Sequence, residues 1–342
     1  MLRRQRNVPP VITPLLILLI GSALAFDFLN GLHDAANSIA TIVSTRVLAP
    51  RWAVFWAAFF NFIAFMVFGM HVAHTIGTGI VTPAIITDQV IFGALMGAIA
   101  WNIITWLAGI PSSSSHALIG GLVGAGVMHA GWGVIEWSGL GKTIAAIFLS
   151  PGLGMVLALF LVLMVSWVIF KRRVSPGRVD GIFRHVQFLS ASMYSLGHGG
   201  NDAQKTMGIV AALLFAHGAL TGPFYVPLWV ILSCQTAMAF GTMFGGWRIV
   251  HTMGSRITKL CPFQGVCAET AGSITLFLAT YLGVPVSTTH TITGAIVGVG
   301  AAKRESAVHW NVAKDIVVAW FVTMPAAGLI GALAYWAYGA IV

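Results

Sequence analysis

The feature that most constrains this chain is that it repeats itself. GIPSSSSHALIGGLVGAGV at 109–127 matches GVPVSTTHTITGAIVGVGA at 283–301 without a gap, at an offset of 174 residues. Gly109, Pro111, Ser113, His116, Gly120, Gly124 and Gly126 fall on Gly283, Pro285, Ser287, His290, Gly294, Gly298 and Gly300. Earlier in each half, GLHDAANSI at 31–39 matches GGNDAQKTM at 199–207, at an offset of 168. Two pairs in the same order make two homologous halves. The predicted boundaries are an N-terminal repeat over 1–170, a cytoplasmic linker at 171–185 and a C-terminal repeat over 186–342.

Composition then fixes the solvent in which those halves fold. Of 342 residues, 58% are hydrophobic and 8% charged, too few charges to solvate the surface of a soluble domain. The same numbers exclude disorder and a nucleic-acid binder. The excess of Lys and Arg, 18 against 9 acidic residues, reads instead as cytoplasmic loops. The 39 glycines suit closely packed membrane helices, and three cysteines make no disulfide framework. The expected fold is an all-α polytopic membrane protein in contact with lipid. Apolar stretches begin with Val11 to Phe28 and continue at roughly 52–75, 89–108, 143–170, 187–215, 228–247, 263–282 and 312–341.

Charge placement tests the topology. If about 89–130 and about 263–301 are each a re-entrant helical hairpin, every half has an odd number of full spans and the halves are inverted repeats. With the N-terminus outside, Arg46, Arg51, the 171–184 cluster, Arg248 to Lys259, Lys303 and Arg304 are all cytoplasmic. Outside lie Asp88, Glu136, Lys142 and the uncharged 216–227. Arg3, Arg4 and Arg6 are the discord.

Ionisable groups within apolar stretches are costly and mark function. Four acids qualify: Asp27, Asp34, Asp202 and Glu269. Asp34 and Asp202 sit in the paired motifs beside Gly31, Gly199 and Gly200, which predicts a broken helix at the substrate site. PSSSSH at 111–116 and PVSTTH at 285–290 each read as a helix N-terminus, with hydroxyl caps and free amide N–H groups suited to an anion. Carboxylates repel anions, but phosphate at neutral pH still carries protons and can donate a hydrogen bond to one. Fully ionised sulfate cannot. The pairing therefore favours phosphate, or a site that also holds a cation. GLGKT at 139–143 lacks the upstream glycine of a phosphate loop, Glu136 standing in its place. No GxSxG, HExxH or CxxC occurs; Cys261 and Cys267 read as structural, and His71, His74 and His129 as interfacial. Nothing here points to an enzyme, a metal centre or a cofactor.

FDFLNGLHDAANSIATIVSTR, SLGHGGNDAQKTMGIV and the two Ser/Thr-rich segments resemble the signature segments of the PiT family of inorganic phosphate transporters. The resemblance spans both halves. It implies a secondary transporter of two inverted repeats, each with a re-entrant hairpin, that symports phosphate with sodium or protons. It further implies a bacterial, low-affinity importer of the inner membrane, whose cargo in some members is a neutral metal-phosphate complex. Position by position, it places Asp34, Asn37, Asn201 and Asp202 in the central site. Ser113, Ser114 and Ser115, with Ser287, Thr288 and Thr289, would contact phosphate. Glu269 matches an acid of the family before the second hairpin, with Asn61 as a candidate first-half counterpart.

The chain departs from the family pattern twice. His33 replaces an Asn, and Lys205 stands where the repeat has Asn37. A lysine cannot ligate sodium, and a histidine beside Asp34 can exchange a proton near neutral pH. The coupling-ion candidates are therefore His33, Asp34, Asp202, Lys205 and Glu269, with a proton favoured and sodium the alternative. Sulfate or another oxyanion is the alternative cargo. The sequence also allows a homo-oligomer.

Overall fold

Helix boundaries follow from caps at Thr, Ser and Pro. In α1 (Pro14–Ser44), the Thr13 hydroxyl accepts the Leu16 N–H and Pro14 opens the first turn. Then come α2 (Pro50–Ile63), α3 (His71–Thr78), α4 (Asp88–Ala108), α5 (Ser114–Ala130) and α6 (Trp137–Lys171). The second half continues with α7 (Pro176–Ala216), α8 (Leu228–Phe244), α9 (Trp247–His251), α10 (Pro262–Tyr281), α11 (Thr288–Lys303) and α12 (Trp310–Ile341). This computed structural model describes residues 13–303 and 305–341; Arg3, Arg4, Arg6, Val11 and Arg304 lie outside them. Among the described residues, extended chain pairs only at one antiparallel bridge, Val81 with Ile135.

The order of elements repeats. Each half has a long helix, a bent pair, two helices joined by a tight turn, and a long helix carrying an internal proline, Pro151 or Pro325. The bends are 80° between Pro50–Met66 and α3, and 63° between α8 and Trp247–Arg256. Among the described residues, four helices are long and apolar enough to cross a membrane, or up to six if each bent pair counts as one span. Large apolar side chains such as Phe148, Phe160, Leu333 and Trp336 are exposed, while Asp34, Asp202, Lys205 and Glu269 are buried. That inside-out distribution is what hydrocarbon demands of a multi-pass protein.

The two hairpins dock crosswise. Helix α5 packs on α12 and α11 packs on α6, so each hairpin lies against the last helix of the other half. The approach is backbone to backbone: a Cβ on Gly124 would stand 2.0 Å from the Gly328 carbonyl oxygen, and one on Gly294 2.2 Å from that of Pro151. The turns between the hairpin helices use Gly109 and Gly283 at φ of +67° and +68°. A hydroxyl on the short helix beyond each bend holds these glycines across the halves. Thr75 donates to the Gly283 carbonyl at 2.7 Å, and Thr252 to that of Gly109 at 3.1 Å.

One expectation changes. Helices α1 and α7 run unbroken through both Asp motifs. Their glycines admit neighbours instead: a Cβ on Gly31 would meet the Met238 carbonyl oxygen at 2.1 Å, and one on Gly199 that of Asn61 at 2.5 Å. The chain bends sharply elsewhere, beyond α2 and α8. The 171–185 segment is largely helical, because Pro176 starts α7 after the extended Ser175. Arg184 then ties that turn down, donating to Asp180 Oδ2 at 2.8 Å and to the Arg46 carbonyl at 3.1 Å.

Candidate functional site

The site is built where α1 and α7 pass each other and both hairpin turns end. Ser38 faces His198, with the hydroxyl 3.2 Å from Nδ1, while Thr41 and Ser190 share Glu269. Levels that rise along α1 therefore fall along α7, so the two equivalent helices are antiparallel. Into their shared polar face point the N-termini of α5 and α11.

Each carboxylate takes a hydrogen bond from the hairpin of its own half. Ser114 donates to Asp34 Oδ2 at 2.9 Å, and Thr288 donates to Asp202 Oδ2 at 2.8 Å. Each hairpin also reaches across. Asn37 donates to Thr289 Oγ1 at 2.9 Å and to Thr288 Oγ1 at 3.1 Å, and Thr289 donates to Asp34 Oδ1 at 3.2 Å. Opposite Asn37, the Lys205 ammonium donates to Ser115 Oγ, to Asp202 Oδ1 at 2.5 Å and to the Val286 carbonyl at 2.8 Å. Lys205 is 1% exposed, so this ion pair is excluded from solvent on both sides. Removal of either partner would strand a buried charge.

His33 bridges Asp34 to the first hairpin: Nδ1 lies 2.9 Å from Asp34 Oδ1, and Nε2 3.1 Å from Thr105 Oγ1. Ser113 and Ser287 turn to their own helices, where each hydroxyl accepts an N–H, from His116 and His290 respectively, at 3.2 Å. They set the start of the tips. Asn201 turns aside as well, donating to Thr280 Oγ1 at 3.0 Å.

Glu269 lies along α1 beyond the centre. Its carboxylate accepts from Thr41 at 2.6 Å and Gln187 at 3.0 Å on Oε1, and from Ser190 at 2.5 Å on Oε2. Asn61 is not its counterpart. It stands on α2, donates to Thr242 Oγ1 at 3.1 Å and lies 3.2 Å from His198 Nδ1. The residue 174 before Glu269 is Leu95, buried and apolar on α4.

The residue that sequence reasoning missed is His198. Its Nε2 is 3.1 Å from Asp202 Oδ2, one helical turn away on α7. The i, i+4 spacing of His198 and Asp202 was the available signal. Ligand atoms of Asp34, His198 and Asp202 lie within 4.8 Å of one another, close enough to share a cation. Tyr194, also absent from the sequence-based set, fixes the second tip by donating to the Thr288 carbonyl at 2.9 Å.

Chemically, hydroxyl donors, carboxylate acceptors and an ammonium form a set that suits a protonated oxyanion. The tip hydroxyls that now donate to Asp34 and Asp202 can rotate to donate to an anion, joined by the amide N–H groups that open each helix. The carboxylates could then accept hydrogen bonds donated by the anion's own O–H groups. Lys205 supplies a fixed positive charge.

The sequence pattern of the family described as "Phosphate transporter family" matches residues 30–331. A "Probable low-affinity inorganic phosphate transporter" of Rhizobium meliloti is 70% identical over 324 residues, 95% of this chain and 96% of that one. One with the same description from Bacillus subtilis is 45% identical, over 94% of this chain and 96% of its own. Among solved structures, "The sodium-dependent phosphate transporter" superposes with a TM-score of 0.85 at 26% identity, covering 96% of this chain and 100% of the other. These names describe transporters rather than enzymes.

Proposed function

Because the chain belongs to the phosphate transporter family, we propose that it imports inorganic phosphate across the bacterial cytoplasmic membrane by proton symport, with alternating access between two inverted halves. The observation that carries this reading is the pair of buried carboxylates, each bonded to a hydroxyl at a hairpin tip. Such a site accepts an anion that is both a strong acceptor and a donor, which phosphate is and sulfate is not. The antiparallel α1 and α7, with crosswise docking of re-entrant hairpins, support an inverted repeat. Two equivalent rearrangements would then open the site to opposite faces.

Lys205 supports protons as the coupling ion. It occupies the position equivalent to Asn37 and already pairs with Asp202, so a sodium ion there would meet an ammonium. Sodium, or the divalent ion of a metal-phosphate complex, is the second reading. It is favoured by the convergence of Asp34, His198 and Asp202 and by the sodium dependence named for the structural neighbour. Uptake of labelled phosphate into proteoliposomes separates the readings. An outside-acid pH gradient should drive accumulation without sodium or added divalent ions, and excess sulfate should not compete. Uptake that needs sodium and ignores the pH gradient would overturn proton symport.

A further inference from the structure

Among the described residues, Asp27 is a buried acid that the proposed function does not use. Asp27 lies on α1 two turns before Asp34, and Thr41 lies two turns after it, so the three share one face at seven-residue spacing. Each step is about 10 Å of helix. Thr41 binds Glu269 at one end of this stripe, and Asp34 meets the hairpin tips at its middle. Asp27 marks the other end, 0% exposed.

Its surroundings differ from those of the other acids. Asp34 and Asp202 accept tip hydroxyls, Asp202 has Lys205, and Glu269 accepts three donors. Thr206 of α7, Asn30 of α1 and Cys234 of α8 face the Asp27 carboxyl, yet neither of its oxygens is held by a hydrogen bond of ordinary geometry. Thr206 Oγ1 and Asn30 Oδ1 are also without partners. Among the described residues, the charged group that acts on Asp27 is another carboxylate, Asp202, and the Cys234 thiol is a titratable neighbour. The position equivalent to Asp27 in the second half is Ser195, so this acid is not a product of the duplication. A buried carboxyl without a cation is stable only with a proton of its own.

We propose that Asp27 carries the coupling proton, as a site distinct from the phosphate centre and at the opposite end of the polar stripe from Glu269. This rests on the proton-symport reading. A proton from outside water binds one carboxylate oxygen as phosphate enters and neutralises the acid for the closed state. It returns to water as H⁺ when the site faces inward; no other bond is made or broken. Thr206, directly after Lys205 on α7, links the proton site to the ion pair at the centre.

Asp27→Asn and Asp27→Glu in proteoliposomes test this against the parent and Asp34→Asn. Two readouts are needed: phosphate–phosphate exchange at equal pH, and accumulation driven by an outside-acid gradient. In Asp27→Asn, exchange should be retained far better than in Asp34→Asn, because the amide mimics the protonated acid. Gradient-driven accumulation should fall to the level the parent reaches without a gradient, and Asp27→Glu should restore it. Accumulation at the parental level in Asp27→Asn overturns the assignment while leaving proton symport intact. Loss of exchange along with accumulation also overturns it, since Asp27 would then serve substrate binding or folding. A parent that ignores the pH gradient removes proton symport and this proposal together.

Discussion

The Asp34 and Asp202 half-sites occupy equivalent places, yet they are charged differently. Around Asp34 stand Asn37, His33, Ser114 and Thr289, with no permanent cation in contact. Around Asp202 stand Thr288, His198 and the ammonium of Lys205. The tip hydroxyls obey the repeat, and the residue three positions after each aspartate breaks it. On the proposed reading, the duplicated frame would supply two matching grips on a tetrahedral anion. The broken position gives the centre a fixed charge. The difference teaches that a repeat can keep its hydroxyl geometry in both halves while its charge differs between them, and the proposed function assigns substrate geometry to the first and coupling to the second.

The largest expected effect tests both halves at once. Asp34→Asn and Asp202→Asn should each abolish phosphate uptake while the protein still inserts. Their stabilities should differ. Asp202→Asn strands Lys205, and a buried charge that loses its partner costs about 3–5 kcal/mol, whereas Asp34→Asn strands no permanent cation. Thermal unfolding in detergent should therefore show a clear loss only for Asp202→Asn. Adding Lys205→Asn to it should recover stability without transport. Equal melting of the two single variants would remove the assigned asymmetry.

Next in size is Lys205→Asn alone, which makes the second half-site like the first. Accumulation driven by an outside-acid gradient should fall about 5- to 150-fold, the usual span of a coupling free energy. Sodium should begin to stimulate uptake as the ammonium is replaced by an amide oxygen. Unchanged coupling in this variant would show that the Lys205 charge takes no part in it.

Ser114→Ala and Thr288→Ala probe what the halves share. Each hydroxyl meets a carboxylate at nearly the same distance, and a hydrogen bond to a charged group contributes about 1.5–3 kcal/mol. Phosphate affinity measured by calorimetry should weaken roughly 10- to 100-fold in either variant, and by similar factors. A large effect in one and none in the other would show that only one tip holds the anion.

Most of the architecture was legible because membrane helices advertise themselves by length and apolarity, and because the duplicated motifs recur in the same order at nearly equal offsets. The hairpins were legible from Gly–x–Pro followed by Ser and Thr, a helix stop and start in six residues. What could not be read was contact between halves. Gly31 and Gly199 look the same whether a helix unwinds or a neighbour approaches, and only the positions of Met238 and Asn61 decide it. Asn201 belongs to the motif but points to Thr280, since the face of a helix cannot be told from a motif alone. His198 was overlooked because its role depends on Ser38 and Asn61 from two other helices. Asp27 was visible as an intramembrane acid, but its lack of a partner is a three-dimensional fact.

The smallest effect separates capping from binding, using the serines that open each tip. Ser113 and Ser287 lie one residue before Ser114 and Thr288, and the sequence places all of them alike. In the structure their hydroxyls accept the N–H groups of His116 and His290. Replacing an N-cap serine by alanine costs about 0.5–2 kcal/mol of helix stability. That loss falls on the first turn of a helix held along its length by α12 or α6, so the tip should fray slightly rather than move. Ser113→Ala and Ser287→Ala should lower the melting temperature a little and weaken phosphate binding less than Ser114→Ala or Thr288→Ala do. The two cap variants should also match each other, because capping, unlike the charge around Asp202, is the same in both halves. If either cap variant weakened binding as strongly as its neighbour, that serine would be a ligand to the anion, and the tip would present three hydroxyls rather than two.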